Sequence, residues 1–349
     1  MQNSAKSPPP VRPSVWEVLE GNWKATHPVP KFTLNSTYYD QRTYWGRVRH
    51  ICSMIDPRLM LVSESEIVIA KETIERYKHA ASIGERVPET DREMWQAKRI
   101  VDSAIHPSTG ELIPRFGRLA FFIPSNVPIA LGMLTSKGVG STVFWQFVNQ
   151  SLNALFNVAN SPGGWKSKDS SVQFFDRVTN DPIVPAYILA VGSSCGISLF
   201  LRSSRFTRNI PSWLVAYLSV AGAGSINNFF MRRSELVQGV QVSNGYENLG
   251  ISKRAAAIGL AATILSRSVF LPLPLLGLPG VFMKFLRLGW YSQRTPSIRV
   301  PAEVFCITAA TAISFPLCAA VLPQNLVIPG NWLEDNFHKT SYVNINRGF

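Results

Sequence analysis

A row of uncharged amides inside an apolar stretch is the feature of this sequence best suited to chemistry. The neighbours are mainly Val, Phe, Leu and Ala, yet a carboxamide recurs every three or four positions. At 100° per residue, these amides fall within an arc of about 80° on one helix face. A carboxamide donates and accepts hydrogen bonds without net charge, which suits a neutral or zwitterionic polar solute. The row consists of Gln146, Asn149, Asn153, Asn157 and Asn160.

Two interpretations of this carboxamide row remain open. Buried amides need hydrogen-bond partners, and Asn side chains between membrane helices stabilise packing by about 0.6–2 kcal/mol. The row is therefore either interhelical glue alone, or a lining that binds a solute with Asn149, Asn153 and Asn157 at its centre.

Arg267 is the second candidate, because it lies well inside another apolar stretch. A cation there costs about 2.5–3.5 kcal/mol or more unless it is paired. Pro272, Pro274 and Pro279 follow, so we expect the helix to break nearby and free backbone carbonyls, as in the binding sites of many transporters. Alternatively, Arg267 snorkels to an interface. Glu303 is a candidate partner for it.

A third group combines Asp, His and Glu between Asp102 and Glu111. Their spacing does not match that of metal ligands, and the Pro and Gly among them favour a turn. We therefore predict no metal site, no cofactor and no enzyme, but a structural turn that docks the helical part of the chain onto its membrane part. The turn residues are His106, Pro107, Thr109, Gly110 and Glu111.

The elements that position these residues follow from an uneven charge distribution. Residues 1–117 hold 16 Lys/Arg and 14 Asp/Glu, whereas residues 118–349 hold 19 and 8, although the second part is twice as long. The excess cations of the second part lie between apolar runs, as in loops that contact anionic lipid. The net charge of +13 therefore indicates membrane lipid as a partner rather than nucleic acid.

The patterning predicts an all-α, multi-span helical membrane protein with an N-terminal amphipathic helical region. Capping boxes at Ser63/Glu66 and Thr90/Glu93 mark two helix starts in that region. Uncharged or nearly uncharged runs after residue 118 are long enough for five or six spans, at about 20 residues each. The predicted domains are a Pro-rich, poorly ordered N-terminus (1–34), the amphipathic region outside the bilayer (35–117), a transmembrane bundle (118–323) and a C-terminal tail (324–349).

Several motifs in order resemble those of the sideroflexins, a family of the mitochondrial inner membrane. The resemblance covers nearly the whole chain from about Tyr39. Three positions, Ser108, Val158 and Leu322, depart from the family pattern. The motifs are Asp56-Pro57-Arg58, Trp95 with Ala97-Lys98, Asp102 to Glu111, Phe144-Trp145-Gln146, Asn149-Gln150-Ser151, Asn153-Ala154, Met231-Arg232, Glu235-Leu236, Leu249-Gly250, Ser252, Ala255-Ala256, Ser266-Arg267, Pro316-Leu317-Cys318 and Pro323-Gln324.

The resemblance implies a multi-pass protein of the mitochondrial inner membrane that transports small neutral amino acids, serine foremost, and supplies one-carbon metabolism. A second hypothesis from a different class is a non-transporting scaffold that aids the assembly of respiratory complexes or iron handling, with respiratory-chain or assembly proteins as partners. The carboxamide row favours transport, because a scaffold has no need of buried amides.

Overall fold

The structure is a computed structural model that describes residues 29–34, 36–85, 87–107, 109–160, 183–203, 210–244, 247–288, 296–323, 325–338 and 340–346. Most of the predicted Pro-rich N-terminus, residues 1–28, lies outside this part of the chain. Ten α-helices and four strands are present in the described part. The helices are α1 (Tyr44–Met54), α2 (Glu64–Ile83), α3 (Asp91–Ala104), α4 (Phe122–Thr135), α5 (Val139–Ala159), α6 (Ile183–Ser203), α7 (Ser212–Gln238), α8 (Lys253–Thr263), α9 (Pro272–Leu288) and α10 (Pro296–Ala319).

Both predicted capping boxes are confirmed at the starts of α2 and α3. The Ser63 hydroxyl accepts the Glu66 backbone N–H, and the Glu66 carboxylate accepts the Ser63 backbone N–H. Thr90 and Glu93 make the same reciprocal pair. Each box satisfies two of the backbone donors that a helix N-terminus leaves unpaired.

The folded N-terminal region begins before residue 35, the start expected from the sequence. Phe32 is buried in a core between α2 and α3. Its backbone N–H donates to the Asp91 carboxylate at 2.8 Å, and the Trp95 indole donates to the Pro30 carbonyl at 2.8 Å. The sequence predicted disorder here because prolines prevent a helix. Prolines do not prevent an extended segment from packing against neighbouring helices, as this segment does.

Helices α4 to α10 form an apolar bundle. Its core includes Val127 and Met133 of α4, Leu276 of α9 and Ile307 of α10. In the described part of the chain, three stretches are long and apolar enough to cross a bilayer: Ser212–Gln238, Lys253–Phe282 and Val300–Ala319. Two further apolar helices are shorter, Leu119–Thr135 and Tyr187–Leu201.

The N-terminal region packs on one end of this bundle. The Tyr44 hydroxyl donates to the Leu317 carbonyl at 3.0 Å, and the Arg47 guanidinium donates to the Ala320 carbonyl at 2.8 Å. Both acceptors lie at the C-terminal end of α10. Helix α1 therefore caps the last helix of the bundle, where unpaired carbonyls need donors.

The predicted helical fold is confirmed in the main, but the expectation that it is all-α is too strong, because the same end of the bundle carries a four-stranded antiparallel sheet. Its strand order is β2-β1-β4-β3, so the segment between α7 and α8 pairs with the C-terminal segment after α10. Inward-facing apolar side chains alternate with outward ones along β1, β3 and β4. The strands are β1 (Val240–Ser243), β2 (Asn248–Ser252), β3 (Asn325–Pro329) and β4 (Tyr342–Asn346).

Glu334 fastens this sheet to the first turn of α8. Its carboxylate accepts the Ser252 hydroxyl and the backbone N–H groups of Lys253 and Arg254. Burial opposes ionisation of Glu334, but these hydrogen bonds outweigh it and hold the pKa of the carboxyl below its ordinary value of 4.5. The carboxylate thus stabilises the helix N-terminus both as an acceptor and as a charge.

Glu334→Gln is expected to destabilise the junction of the sheet and α8 by about 1 kcal/mol at neutral pH. Since the folded-state pKa is depressed, this contribution is present above pH 4.5 and is lost as the pH falls through the folded-state value. Hydrogen exchange of the Lys253 and Arg254 amides should therefore be faster in the variant at pH 7, and the difference should shrink in acid. Equal exchange at pH 7 would contradict this account.

Candidate functional site

The carboxamide row lies on α5. The two outermost members of the row, Gln146 and Asn160, are hydrogen-bonded to other groups of the protein. Gln146 is buried, and its Oε1 accepts the hydroxyl of Ser194 on α6 at 2.7 Å. At the other end, the Asn160 amide donates to the carbonyls of Gly117 and Phe156, at 2.9 and 2.8 Å. The hydrogen bonds of Gln146 and Asn160 agree with the interpretation of the row as glue between elements of the bundle.

Asn149 and Gln150 differ from them, because their amide nitrogens have no hydrogen-bond partner among the described residues. Asn149 is 6% exposed and Gln150 is 3% exposed, and both Asn149 Nδ2 and Gln150 Nε2 are buried without an acceptor. A buried donor left unpaired costs about 1–3 kcal/mol. Two such donors on adjacent residues are therefore suited to a polar ligand that supplies the missing acceptors.

The row becomes accessible toward the C-terminal end of α5. Asn153 lies one turn beyond Asn149 on the same face, but it is exposed. The side chain of Asn157 lies outside the part that the structure describes. The central predicted residues are thus not equivalent: Asn149 is buried and unpaired, whereas Asn153 can be reached from outside the bundle.

Polar contacts continue from α5 across the neighbouring helices. The hydroxyls of Ser198 on α6 and Ser219 on α7 are 2.7 Å apart and both residues are buried. Further along α7, the Asn228 amide donates to the Ser268 hydroxyl at 3.0 Å. Sequence reasoning missed these residues, because single serines are common in membrane helices and their spacing shows no pattern.

Arg267 lies in a π-helical segment, Ile264–Phe270, between α8 and α9. The expected helix break is wrong, because one helical stretch, Lys253–Phe282, continues through this segment and its prolines. The irregularity is local: the Leu271 N–H bonds to the Ser266 carbonyl five residues back. Such segments are frequent at functional sites. Arg267 is half-buried, and Glu303 is buried on α10, a helix that packs against the segment.

Arg232 is a buried cation that the sequence analysis placed between apolar runs rather than inside one. It lies within α7, where its guanidinium pairs with the Glu235 carboxylate at 2.9 and 2.5 Å. A third nitrogen donates to the Thr263 hydroxyl on α8 at 2.9 Å. Arg232 therefore joins α7 to the C-terminal end of α8.

Comparisons with known proteins decide the family. The family model described as Sideroflexins matches residues 33–348. The chain belongs to the sideroflexin family. It is 35% identical to sideroflexin fsf1 of Schizosaccharomyces pombe over 87% of this chain and 92% of the relative. It is 33% identical to sideroflexin-5 of Homo sapiens, over 87% and 88% of the two chains, and 30% identical to human sideroflexin-2, over 91% and 98%. No solved structure matches.

Membership of the sideroflexins and the three stretches long enough to cross a bilayer indicate a membrane protein.

The motif around His106 lies outside the membrane bundle of this sideroflexin. His106 is buried, and its backbone N–H donates to the Glu111 backbone carbonyl. The Nδ1 atom of its imidazole ring accepts the Thr109 backbone N–H at 3.3 Å. Lys71 of α2 donates to the Gly110 carbonyl at 3.1 Å, so these contacts dock the turn on α2.

A groove of about 420 Å³ lies beside this turn, between α2 and α3. Its lining carries two Lys and two acidic side chains. Lys78 contacts Glu75 at 2.8 Å, and Asp102 contacts Lys98 at 3.2 Å, whereas the Lys71 ammonium donates to the Gly110 carbonyl. Each of these charged side chains thus contacts another protein group, in contrast to the unpaired amides of α5.

Proposed function

We propose that this sideroflexin is a transporter of small neutral amino acids, most readily serine, in the mitochondrial inner membrane. The observation that carries the proposal is the pair of buried, unpartnered amides of Asn149 and Gln150, in a bundle of the sideroflexin family. In this role the protein supplies serine to one-carbon metabolism.

The chemistry of the solute fits the groups of the row. Serine carries an ammonium, a carboxylate and a hydroxyl, and it gives up strong hydrogen bonds to water when it enters a membrane. The amides of Asn149 and Gln150 donate to the carboxylate, while carboxamide oxygens accept from the ammonium and hydroxyl. Because the row has no net charge, it compensates a zwitterion without holding it by ionic attraction.

Asn153 and Arg267 complete the proposed path, with Asn157 and Gln146 as further members of the row. Exposed Asn153 is the first amide that a solute meets, and Asn149 lies one turn deeper. Arg267, in the π-helical segment between α8 and α9, is the candidate of the path that lies outside the row. Gln146 and Asn160 keep α5 in place through their own hydrogen bonds.

We further propose six spans: α4, α5, α6, α7, the continuous α8–α9 passage and α10. Helix α5 is as long as a span but is polar, which accords with a helix that lines a solute path rather than facing lipid. Six passes return the chain to the end from which it started, in agreement with the packing of α1 on the end of α10.

Uptake of radiolabelled L-serine into proteoliposomes tests the proposal. We expect saturable uptake that excess alanine or glycine reduces and that aspartate or lysine leaves unchanged, since a neutral row does not compensate a net charge. Vesicles without protein are the control. Uptake no greater than in that control, with correctly folded protein, would contradict transport and favour the scaffold hypothesis.

A further inference from the structure

Arg118 is a buried cation at the point where the chain passes from the N-terminal region into the bundle. It is 2% exposed and lies between two short helical turns, Arg115–Gly117 and Leu119–Phe121, the second of which leads into α4. Its Nε donates to the Ile113 carbonyl at 3.0 Å. Its Nη1 is also buried but has no hydrogen-bond partner among the described residues. The guanidinium therefore has donors that lack an acceptor.

The charge of Arg118 is not neutralised by a contact within the described part of the chain. Its hydrogen bond there goes to a neutral carbonyl, while the Arg115 cation repels it and the Glu64 carboxylate attracts it through space. A guanidinium stays protonated at neutral pH, and an unpaired charge in a protein interior is costly. A buried guanidinium with an unpaired donor therefore indicates that an anion binds here.

Contacts on both sides fix the position of Arg118. The turn Arg115–Gly117 packs against α5, where the Gly117 carbonyl accepts the Asn160 amide at 2.9 Å. The turn Leu119–Phe121 packs against Pro57–Met60, a short turn of the N-terminal region. Arg118 thus lies where the N-terminal region, the start of α4 and the end of α5 meet.

Exposed apolar side chains adjoin this junction. Leu119 follows Arg118 directly, Leu112 precedes the residue whose carbonyl Arg118 binds, and Leu61 follows the N-terminal turn. All three are exposed, Leu61 by 83%. Because an apolar helix begins at Leu119, this level of the chain lies at the boundary between hydrocarbon and water. A buried cation beside exposed Leu side chains at that boundary matches the phosphate and the acyl chains of a phospholipid.

We propose that Arg118 and Arg115 bind the phosphate of an anionic phospholipid, whose acyl chains lie against the exposed Leu side chains. The Arg118 backbone N–H donates to the Arg115 carbonyl at 3.3 Å, so the two residues are one turn apart. Guanidinium groups donate paired hydrogen bonds to phosphate oxygens, and basic pockets beside membrane helices bind lipid headgroups by this chemistry. Arg115 and Leu119 are exposed on either side of Arg118, and their side chains turn to admit the headgroup. The site does not depend on which solute the α5 row binds.

Native mass spectrometry of the delipidated, detergent-purified protein with added phosphatidylglycerol tests this site. We expect the wild-type chain to retain a single tightly bound phosphatidylglycerol. Arg115→Gln should weaken its apparent affinity about tenfold, and Arg118→Gln should weaken it by up to about 100-fold, since each removes a charged donor. Arg118→Gln also removes the bond to the Ile113 carbonyl, so Arg115→Gln, at an exposed position, separates loss of binding from loss of folding.

Arg233→Gln is the matched control, because Arg233 is exposed near the C-terminal end of α7 and the change of charge is the same. This variant should retain phosphatidylglycerol like the wild type. An equal loss in Arg233→Gln and Arg115→Gln would show attraction to a basic surface in general and would overturn the site. Inorganic phosphate should not displace the lipid, since it has no acyl chains. Displacement by equimolar phosphate, or equal retention of phosphatidylcholine, would overturn the proposal as well.

Discussion

Asn149→Leu is expected to abolish or sharply reduce serine uptake while the protein still folds and inserts. The Asn149 amide nitrogen has no partner in the described part of the chain, so its removal breaks no hydrogen bond there at that atom. Loss of an unsatisfied buried donor leaves stability unchanged or raises it. A bound serine, however, loses a hydrogen bond of about 1–3 kcal/mol, or roughly 5- to 150-fold in affinity.

This result separates the two interpretations of the row. If Asn149 is glue, Asn149→Leu lowers Tm, and uptake falls only in proportion to the folded protein. If Asn149 binds the solute, uptake falls and Tm does not. Phe147→Leu is the control, since Phe147 is an exposed residue on the outer face of α5 and should transport normally. Asn153→Leu should weaken uptake less than Asn149→Leu, because Asn153 is exposed.

Arg232→Met is expected to have the largest effect on folding. The substitution removes the bidentate partner of Glu235 and the donor to Thr263. Removal of one member of a buried pair costs about 3–5 kcal/mol, although partial exposure of Glu235 reduces this. In a protein with a total stability of about 5–15 kcal/mol, the folded yield should fall several-fold. Tm and the monodisperse fraction in size exclusion measure the loss.

Arg233→Met is the matched control, because it makes the same change of charge at the next residue. Arg233 is exposed, with its guanidinium 5.6 Å from the Phe230 ring, and its loss should change Tm little. Arg232→Lys should not restore full stability, since an ammonium cannot pair bidentately. Equal stability of the Arg232 and Arg233 variants would contradict the structural role of Arg232.

Local sequence signals predicted the helices well, whereas the pairing of distant segments could not be read from them. The capping boxes at Ser63 and Thr90 each rest on residues three apart, so the pattern alone determines the contact. The sheet joins residues 240–252 to residues 325–346. The alternation of Val240 and Val242 is typical of a strand. The sequence analysis, however, assigned residues after 118 only to membrane spans or to the loops between them.

The candidate site was predicted in part for a related reason. Helical periodicity correctly placed Gln146 and Asn149 on a buried face, but it could not show which amides have partners. That distinction depends on Ser194, a residue of another helix, which faces Gln146 and not Asn149. Gln150 lies about 40° from Gln146 on the helix, just outside the predicted arc, and a wider arc would have included it.

Equilibrium binding of radiolabelled L-serine to purified wild-type and Asn149→Leu protein tests the central claim most directly. The claim is that the unpartnered amides of α5 contact the solute. We expect saturable binding to the wild-type protein and binding weakened roughly 5- to 150-fold in the variant, at unchanged Tm. Equal affinity of the two folded proteins for serine would show that Asn149 does not contact the solute and would contradict the account.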